Sequence, residues 1–177
     1  MVVKAKEHDL KKFIRDVPNF PKEGIIFKDI TTLLSNKKAY QKAIDVLASK
    51  FKGQKIDYVV GIESRGFIFG GALAYKLGTG FVPVRKKGKL PYKTKKMTYQ
   101  LEYGTDTLEI HEDAVPKNSR VLIVDDLLAT GGTVRAVADL LSQLKAKIVG
   151  VAFLIELEFL QGKTRLKDLL IYSTLKY

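Results

Sequence analysis

The chain has no cysteine among its 177 residues. Disulfides, thiol nucleophiles and cysteine zinc sites are therefore excluded. Histidine is almost as scarce: His8 and His111 stand apart from each other and from other ligand types, as structural or surface residues do. No apolar run approaches the roughly 20 residues of a membrane helix. The first residues, MVVKAKEHDLKKF, lack the apolar stretch of a secretory signal, so a cytoplasmic protein is expected, with no membrane partner. Two nucleotide signatures are also missing. There is no G-x-x-x-x-G-K-S/T and no G-x-G-x-x-G, which removes a kinase-like P-loop enzyme and a dinucleotide fold. Acidic residues are few, 19 against 31 lysines and arginines, and the net charge of +12 calls for an anionic partner or a highly solvated surface.

What is present is a core-forming chain of one-domain length. Nearly half the residues are hydrophobic and they are spread throughout, which excludes disorder. Helix and strand patterns alternate, predicting an α/β domain with a mostly parallel sheet flanked by helices. Leu10, Phe13, Ile14 and Val17 fall on one helical face, and Pro18 ends that helix. Turn chemistry at 19–24 leads into a short strand, Ile25 to Phe27. Helices are expected at 37–51, 66–77 and 133–144, and strands at 56–61, 81–84, 121–124, 148–155 and 170–173. The basic stretch 85–98 has no periodicity and reads as a mobile loop. Beyond it, 99–101 and 107–110 flank a hairpin turn.

One stretch concentrates the chemistry: VLIVDDLLATGGTVRAV, from Val121 to Val137. A buried strand delivers Asp125 and Asp126 side by side at its carboxyl end, where open α/β sheets bind ligands. Adjacent carboxylates repel one another, so a ligand must offset that cost. Ala129, Thr130, Gly131, Gly132 and Thr133 then turn into the next helix. Glycines there let backbone N–H groups converge, the threonines add hydroxyls, and the helix dipole favours an anion. Carboxylates accept hydrogen bonds, so they suit vicinal hydroxyls beside that phosphate. A ribose 5-phosphate has both. Glu63, Ser64, Arg65 and Gly66 follow another core strand and open onto the same edge, where backbone donors and a guanidinium suit pyrophosphate. Arg85 and Lys89, after a third core strand, belong near it too.

VLIVDDLLATGGT resembles the phosphoribosyl pyrophosphate signature of type I phosphoribosyltransferases, in the wording of the family's adenine branch. NFPKEGIIFKDIT at 19–31, GIESRGFIFGGALA at 61–74, VPVRKKGKLP at 82–91 and YQLEYGTDTLEI at 99–110 match in the same order. The resemblance implies a Rossmann-like core with a small hood from the terminal segments (near 1–34) and a flexible catalytic loop (near 85–110). It implies transfer of the phosphoribosyl group from phosphoribosyl pyrophosphate to adenine, giving AMP and pyrophosphate. By the same resemblance Glu102 is the catalytic glutamate and Tyr103 covers the site. Phe27 and Leu157 sandwich the adenine ring, while the backbone of Ile26 and Lys28 reads its amino edge. Asp125, Asp126 and Arg65 act on the reacting ribose and pyrophosphate. Magnesium is implied as the cofactor, carried by substrate and water, with Asp125 reaching it through water. A non-proline cis peptide is common in the family's 63–65 loop, and a homodimer is usual. Lys28 departs from the pattern, which commonly has arginine there.

Two other readings compete. One is a phosphoribosyltransferase for xanthine or hypoxanthine, against which the ATGGT wording weighs. The other is a non-catalytic regulator that binds nucleic acid through its positive surface, but no helix-turn-helix segment precedes the core.

Overall fold

The computed structural model describes residues 10–100 and 104–177. Its centre is a seven-stranded sheet. In chain order the sheet strands are β3 (Tyr58–Ile62), β4 (Gly80–Lys86), β5 (Thr94–Gln100), β6 (Thr105–His111), β7 (Arg120–Leu128), β8 (Lys147–Glu156) and β9 (Ile171–Lys176). Two further strands, β1 (Arg15–Pro18) and β2 (Ile26–Asp29), form a separate antiparallel ribbon. The sheet order is β5-β6-β4-β3-β7-β8-β9. The five strands from β4 to β9 run parallel, and the β5–β6 hairpin closes one edge in antiparallel sense.

Burial on both faces explains the apolar runs, because parallel strands are covered by helices on each side. On β7, Leu122 and Val124 share a core cluster with α1 (Thr31–Ser35), α2 (Lys37–Lys50) and α3 (Gly66–Leu77), whereas Val121 and Ile123 pack with α4 (Gly132–Gln143). β8 divides likewise, Ala152 and Leu154 to one side, Val151 and Phe153 to the other. Asn36 starts α2 by accepting the Ala39 N–H at 3.1 Å, and Gly78 ends α3 in the left-handed region.

Three expectations are corrected. Residues 10–17 do not form a helix: a single 3-10 turn, Lys11–Phe13, leads into β1. Leu10 is buried and Phe13 and Ile14 pack on the core, so the apolar spacing is real, but Val17 pairs with Phe27 in the ribbon. The loop expected at 85–98 is shorter, because β5 begins at Thr94 and pairs with β6 from Thr94–His111 to Gln100–Thr105. β5 is an edge strand, and its exposed lysines suit an edge that must not recruit another strand. The strand expected to stop at Val124 continues to Leu128, since β8 still pairs at Asp125–Phe153 and Leu127–Ile155.

The two strands of the ribbon are held to each other by charge. Arg15 Nη2 lies 2.6 Å from Asp29 Oδ2, and Lys28 Nζ lies 2.7 Å from Asp16 Oδ1. Lys28 also stands 4.2 Å above the ring of Tyr177, so the chain's last residue packs under the ribbon. Lys28, the residue that departs from the resembled pattern, thus makes an ion pair within the ribbon. Asp29 accepts the Thr31 N–H and the Arg15 guanidinium, which lowers its carboxyl to about 2.

Candidate active site

The site follows from unequal strand lengths. β3 pairs with β7 only as far as Gly61–Val124, yet β7 continues, so Asp125 and Asp126 stand just past the last β3–β7 pair. The chain leaving β3 turns there through Glu63, Ser64 and Arg65 into α3. The Glu63–Ser64 peptide is cis. Gly66 opens α3 against the acids: a methyl on it would lie 2.8 Å from Asp125 Oδ1 and 2.9 Å from the Val124 carbonyl. Only glycine permits that approach without movement.

A cleft of about 590 Å³ opens over this corner. Its floor is Asp125, Asp126 and Leu127, one wall is Glu63, Ser64 and Arg65, and another is Lys86 with Asp106. Phe27 reaches in from the ribbon, and Tyr99 and Thr133 meet on the far side. Arg65 links ribbon and core. Its guanidinium lies 5.1 Å from the Phe27 ring centre, and its Nε is 2.9 Å from Asp126 Oδ2. That second contact lies off hydrogen-bond geometry, so it is a charge pair that leaves the oxygen's hydrogen-bonding capacity unused.

The two acids differ. Asp125 Oδ1 accepts the Asp126 N–H at 2.9 Å. Burial, then the neighbouring Asp126 charge, pushes the Asp125 carboxyl well above the usual carboxylate range. Burial also raises Asp126, and Arg65 opposes that rise. Glu63 behaves oppositely. Burial works against its charge, but the Lys86 N–H at 2.9 Å and the Arg85 guanidinium outweigh it and hold the carboxyl low.

The turn from β7 into α4 is the expected ATGGT. Gly131 caps the helix at φ +81°, a left-handed conformation that favours glycine. A methyl on Gly131 would lie 2.5 Å from the Gly162 carbonyl, so the turn is packed backbone to backbone against the 3-10 segment Gly162–Leu166. The first N–H groups of any helix lack intrahelical partners, and Thr133 adds a hydroxyl 3.5 Å from the Tyr99 hydroxyl. This end of α4 can hold a phosphate.

The structure therefore brings Phe27, Glu63, Ser64, Arg65, Asp125, Asp126 and Thr133 to one cleft. Arg85 lies just behind it, paired to Glu63 at 3.3 Å and donating to the Lys89 carbonyl at 3.2 Å. Ile26 is exposed on the ribbon beside Phe27. Leu157 is half buried against the core and lies outside the lining. Glu102 and Tyr103 fall outside the described residues, as does His8; His111 packs edge-on against Tyr92. Sequence reasoning missed Lys86, Asp106, Tyr99 and Leu127 as lining groups. Lys86 and Asp106 form an ion pair of 3.1 Å across the β4–β6 side of the cleft. Among the described residues no group of three or more histidine, cysteine, aspartate or glutamate side chains could hold a metal.

Residues 29–172 match the family model of the phosphoribosyl transferase domain. The chain is 61% identical to the adenine phosphoribosyltransferase of Syntrophotalea carbinolica, over 96% of this chain and 99% of that one. Its fold is similar to the crystal structure of adenine phosphoribosyltransferase from Thermoanaerobacter pseudethanolicus, with a TM-score of 0.94 and 51% identity over 97% and 99% of the two chains. It is also similar to the Saccharomyces cerevisiae enzyme complexed with an imino-altritol bisphosphate and adenine, with a TM-score of 0.90 and 46% identity over 96% and 98%. A matching domain model, relatives aligned over nearly the whole chain and a shared fold agree: the chain belongs to the type I phosphoribosyltransferase family, on its adenine phosphoribosyltransferase branch.

Proposed function

We propose that this cleft transfers the 5-phosphoribosyl group of phosphoribosyl pyrophosphate to adenine, giving AMP and pyrophosphate. The observation that carries the reading is one cleft holding Thr133 at the start of α4, two adjacent carboxylates (Asp126 buried, Asp125 half-buried) and the Arg65 guanidinium. In this reading 129–133 grips the 5-phosphate, and Asp125 and Asp126 accept hydrogen bonds from the ribose 2- and 3-hydroxyls. As pyrophosphate leaves, C1 gains positive charge, and the same carboxylates stabilise it. Ser64 and Arg65 hold the pyrophosphate, with Glu63 fixing Arg85 beside it and Lys89 adding charge. Adenine stacks on Phe27, with Leu157 on the opposite face and the Ile26 and Lys28 backbone at its edge. Glu102, on the lid near 85–110, takes the N9 proton, and Tyr103 covers the site; hood and lid are parts of one domain.

Magnesium fits this arrangement as a charge neutraliser for pyrophosphate. The donor set supports that role: among the described residues Asp125 and Asp126 stand without a third ligand, which suits an ion that keeps water and substrate oxygens, with Asp125 reaching it through water. A homodimer in the cytoplasm completes the proposal, with no nucleic acid required.

The test is AMP formation by the purified protein from adenine, hypoxanthine and guanine, with phosphoribosyl pyrophosphate and magnesium present. Adenine should be favoured at least tenfold in kcat/KM, about 1.4 kcal/mol of discrimination. Equal use of all three bases would defeat the adenine assignment, and no turnover with any would defeat the transferase.

A further inference from the structure

Gly132, the first residue of α4, has an unexpected neighbour. A methyl built there would lie 3.4 Å from the Gln100 carbonyl, 3.8 Å from the Tyr99 ring and 3.5 Å from Nη1 of Arg165. Arg165 comes from the 3-10 segment Gly162–Leu166, far along the chain from the ATGGT turn. Its position is set by its own segment. Gly162 packs on the Ala129 and Gly131 backbone, Leu166 is buried, and Lys163 Nζ pairs with Glu156 at 2.7 Å.

The charges here are incomplete. Arg135, in the next turn of α4, is satisfied by Asp168 at 2.9 Å and Asp139 at 3.0 Å. Lys163 has Glu156. Arg165 has no hydrogen bond or ion pair among the described residues, and the first turn of α4 contains no acid. A cation placed at the positive end of a helix dipole is unfavourable unless an anion lies between them. An anion at that point would be held by backbone N–H groups from below and by a guanidinium from the side.

We propose that Arg165 is a substrate-binding residue, clamping the phosphomonoester of the phosphoribosyl group onto the start of α4. This rests on the reading that 129–133 binds the 5-phosphate. The C-terminal segment then does more than pack beneath the ribbon: it supplies a charge that the ATGGT turn itself lacks. The ligand class is a 5-phosphorylated ribose, shared by phosphoribosyl pyrophosphate, ribose 5-phosphate and AMP. Free pyrophosphate, bound at the Glu63–Arg65 wall, lies outside its reach.

Binding of ribose 5-phosphate, phosphoribosyl pyrophosphate and pyrophosphate is measured by calorimetry on wild type, Arg165→Gln, Arg165→Lys and Thr133→Ala. Arg165→Gln should weaken ribose 5-phosphate and phosphoribosyl pyrophosphate by roughly tenfold to a hundredfold, the range of a hydrogen-bonded charge. Pyrophosphate should stay within about twofold. Arg165→Lys should recover part of the loss. Because the phosphomonoester gains its second charge near pH 6, the ratio of wild-type to Arg165→Gln affinity should grow from about pH 5 to about pH 7.5. Affinity for ribose 5-phosphate unchanged in Arg165→Gln, an equal loss for pyrophosphate, or a ratio flat with pH would each overturn the proposal. If Thr133→Ala weakens ribose 5-phosphate and Arg165→Gln does not, Arg165 alone is wrong. If neither weakens it, the phosphate assignment of the turn falls as well. Arg165 is exposed, so the variants should melt with the wild type. Should Arg165→Gln melt lower, Arg165→Lys decides: it must bind ribose 5-phosphate more tightly than Arg165→Gln, and equal binding refutes the clamp.

Discussion

Asp125 and Asp126 are coupled through burial and charge. Without ligand, burial and mutual repulsion raise Asp125, and the pair retains a proton above the usual carboxylate range. A raised folded-state value has a defined sign. The associated stability is fully present below the unfolded carboxylate value of about 4 and is lost as pH rises through the raised one. Replacing both residues with asparagine removes that titration. The double variant should therefore melt no lower than wild type near pH 7, and its melting temperature should fall less between about pH 4 and pH 8. Catalysis should move the other way, because a developing ribose cation loses its counter-charge. Turnover should drop at least about a hundredfold, as when other preorganised electrostatic groups are removed. Steady-state assays and melting curves on the same preparation check both; undiminished turnover would contradict the ribose assignment.

Among the elements, the turn from β7 into α4 is the most constrained. Gly131 is left-handed at φ +81°, and its missing side chain is what lets the Gly162 carbonyl approach. Gly131→Ala must accept both a disfavoured backbone region, at about 1–2 kcal/mol, and a contact that one backbone must move to relieve. The expected outcome is a lower melting temperature together with a KM for phosphoribosyl pyrophosphate raised about tenfold or more. The KM for adenine should change little, since the ribbon that carries Phe27 is remote in sequence and its two strands are braced by their own ion pairs. A variant with wild-type KM for phosphoribosyl pyrophosphate would separate the turn from phosphate binding. The β5–β6 hairpin is the contrasting element. Buried Glu109 accepts the Gly88 N–H at 3.0 Å and meets Lys96 Nζ at 3.2 Å, joining the hairpin to the turn that follows β4.

For the whole molecule, a net charge of +12 creates a field that reaches beyond any contact. Phosphoribosyl pyrophosphate is strongly anionic and adenine is neutral, so the two substrates should respond differently to salt. Raising potassium chloride from about 50 to about 500 mM shortens the Debye length from roughly 14 to roughly 4 Å. The kcat/KM for phosphoribosyl pyrophosphate should fall severalfold, whereas that for adenine, at saturating co-substrate, should hold within about twofold. Parallel decline for both would assign the lysines to solubility alone.

The sequence by itself determined the alternating order of strands and helices, because apolar periodicity is local and burial on both faces leaves an unmistakable run at Val121–Val124. It determined the glycine-rich turn into α4 for the same reason: glycines, hydroxyls and a helix start are contiguous at 129–133. Tertiary structure alone decided what depends on distant backbone. Leu10 to Val17 carries helical spacing, yet Val17 is a strand residue because Phe27 is there to pair with it. Lys95 and Lys96 look like loop residues until β6 makes their strand the sheet's edge. Lys86, Asp106 and Tyr99 enter the cleft only because sheet order sets the hairpin beside β4, and Arg165 reaches α4 only because two glycine backbones touch. Sheet order and close backbone contact join residues far apart in the chain, and no local pattern of residue types encodes either.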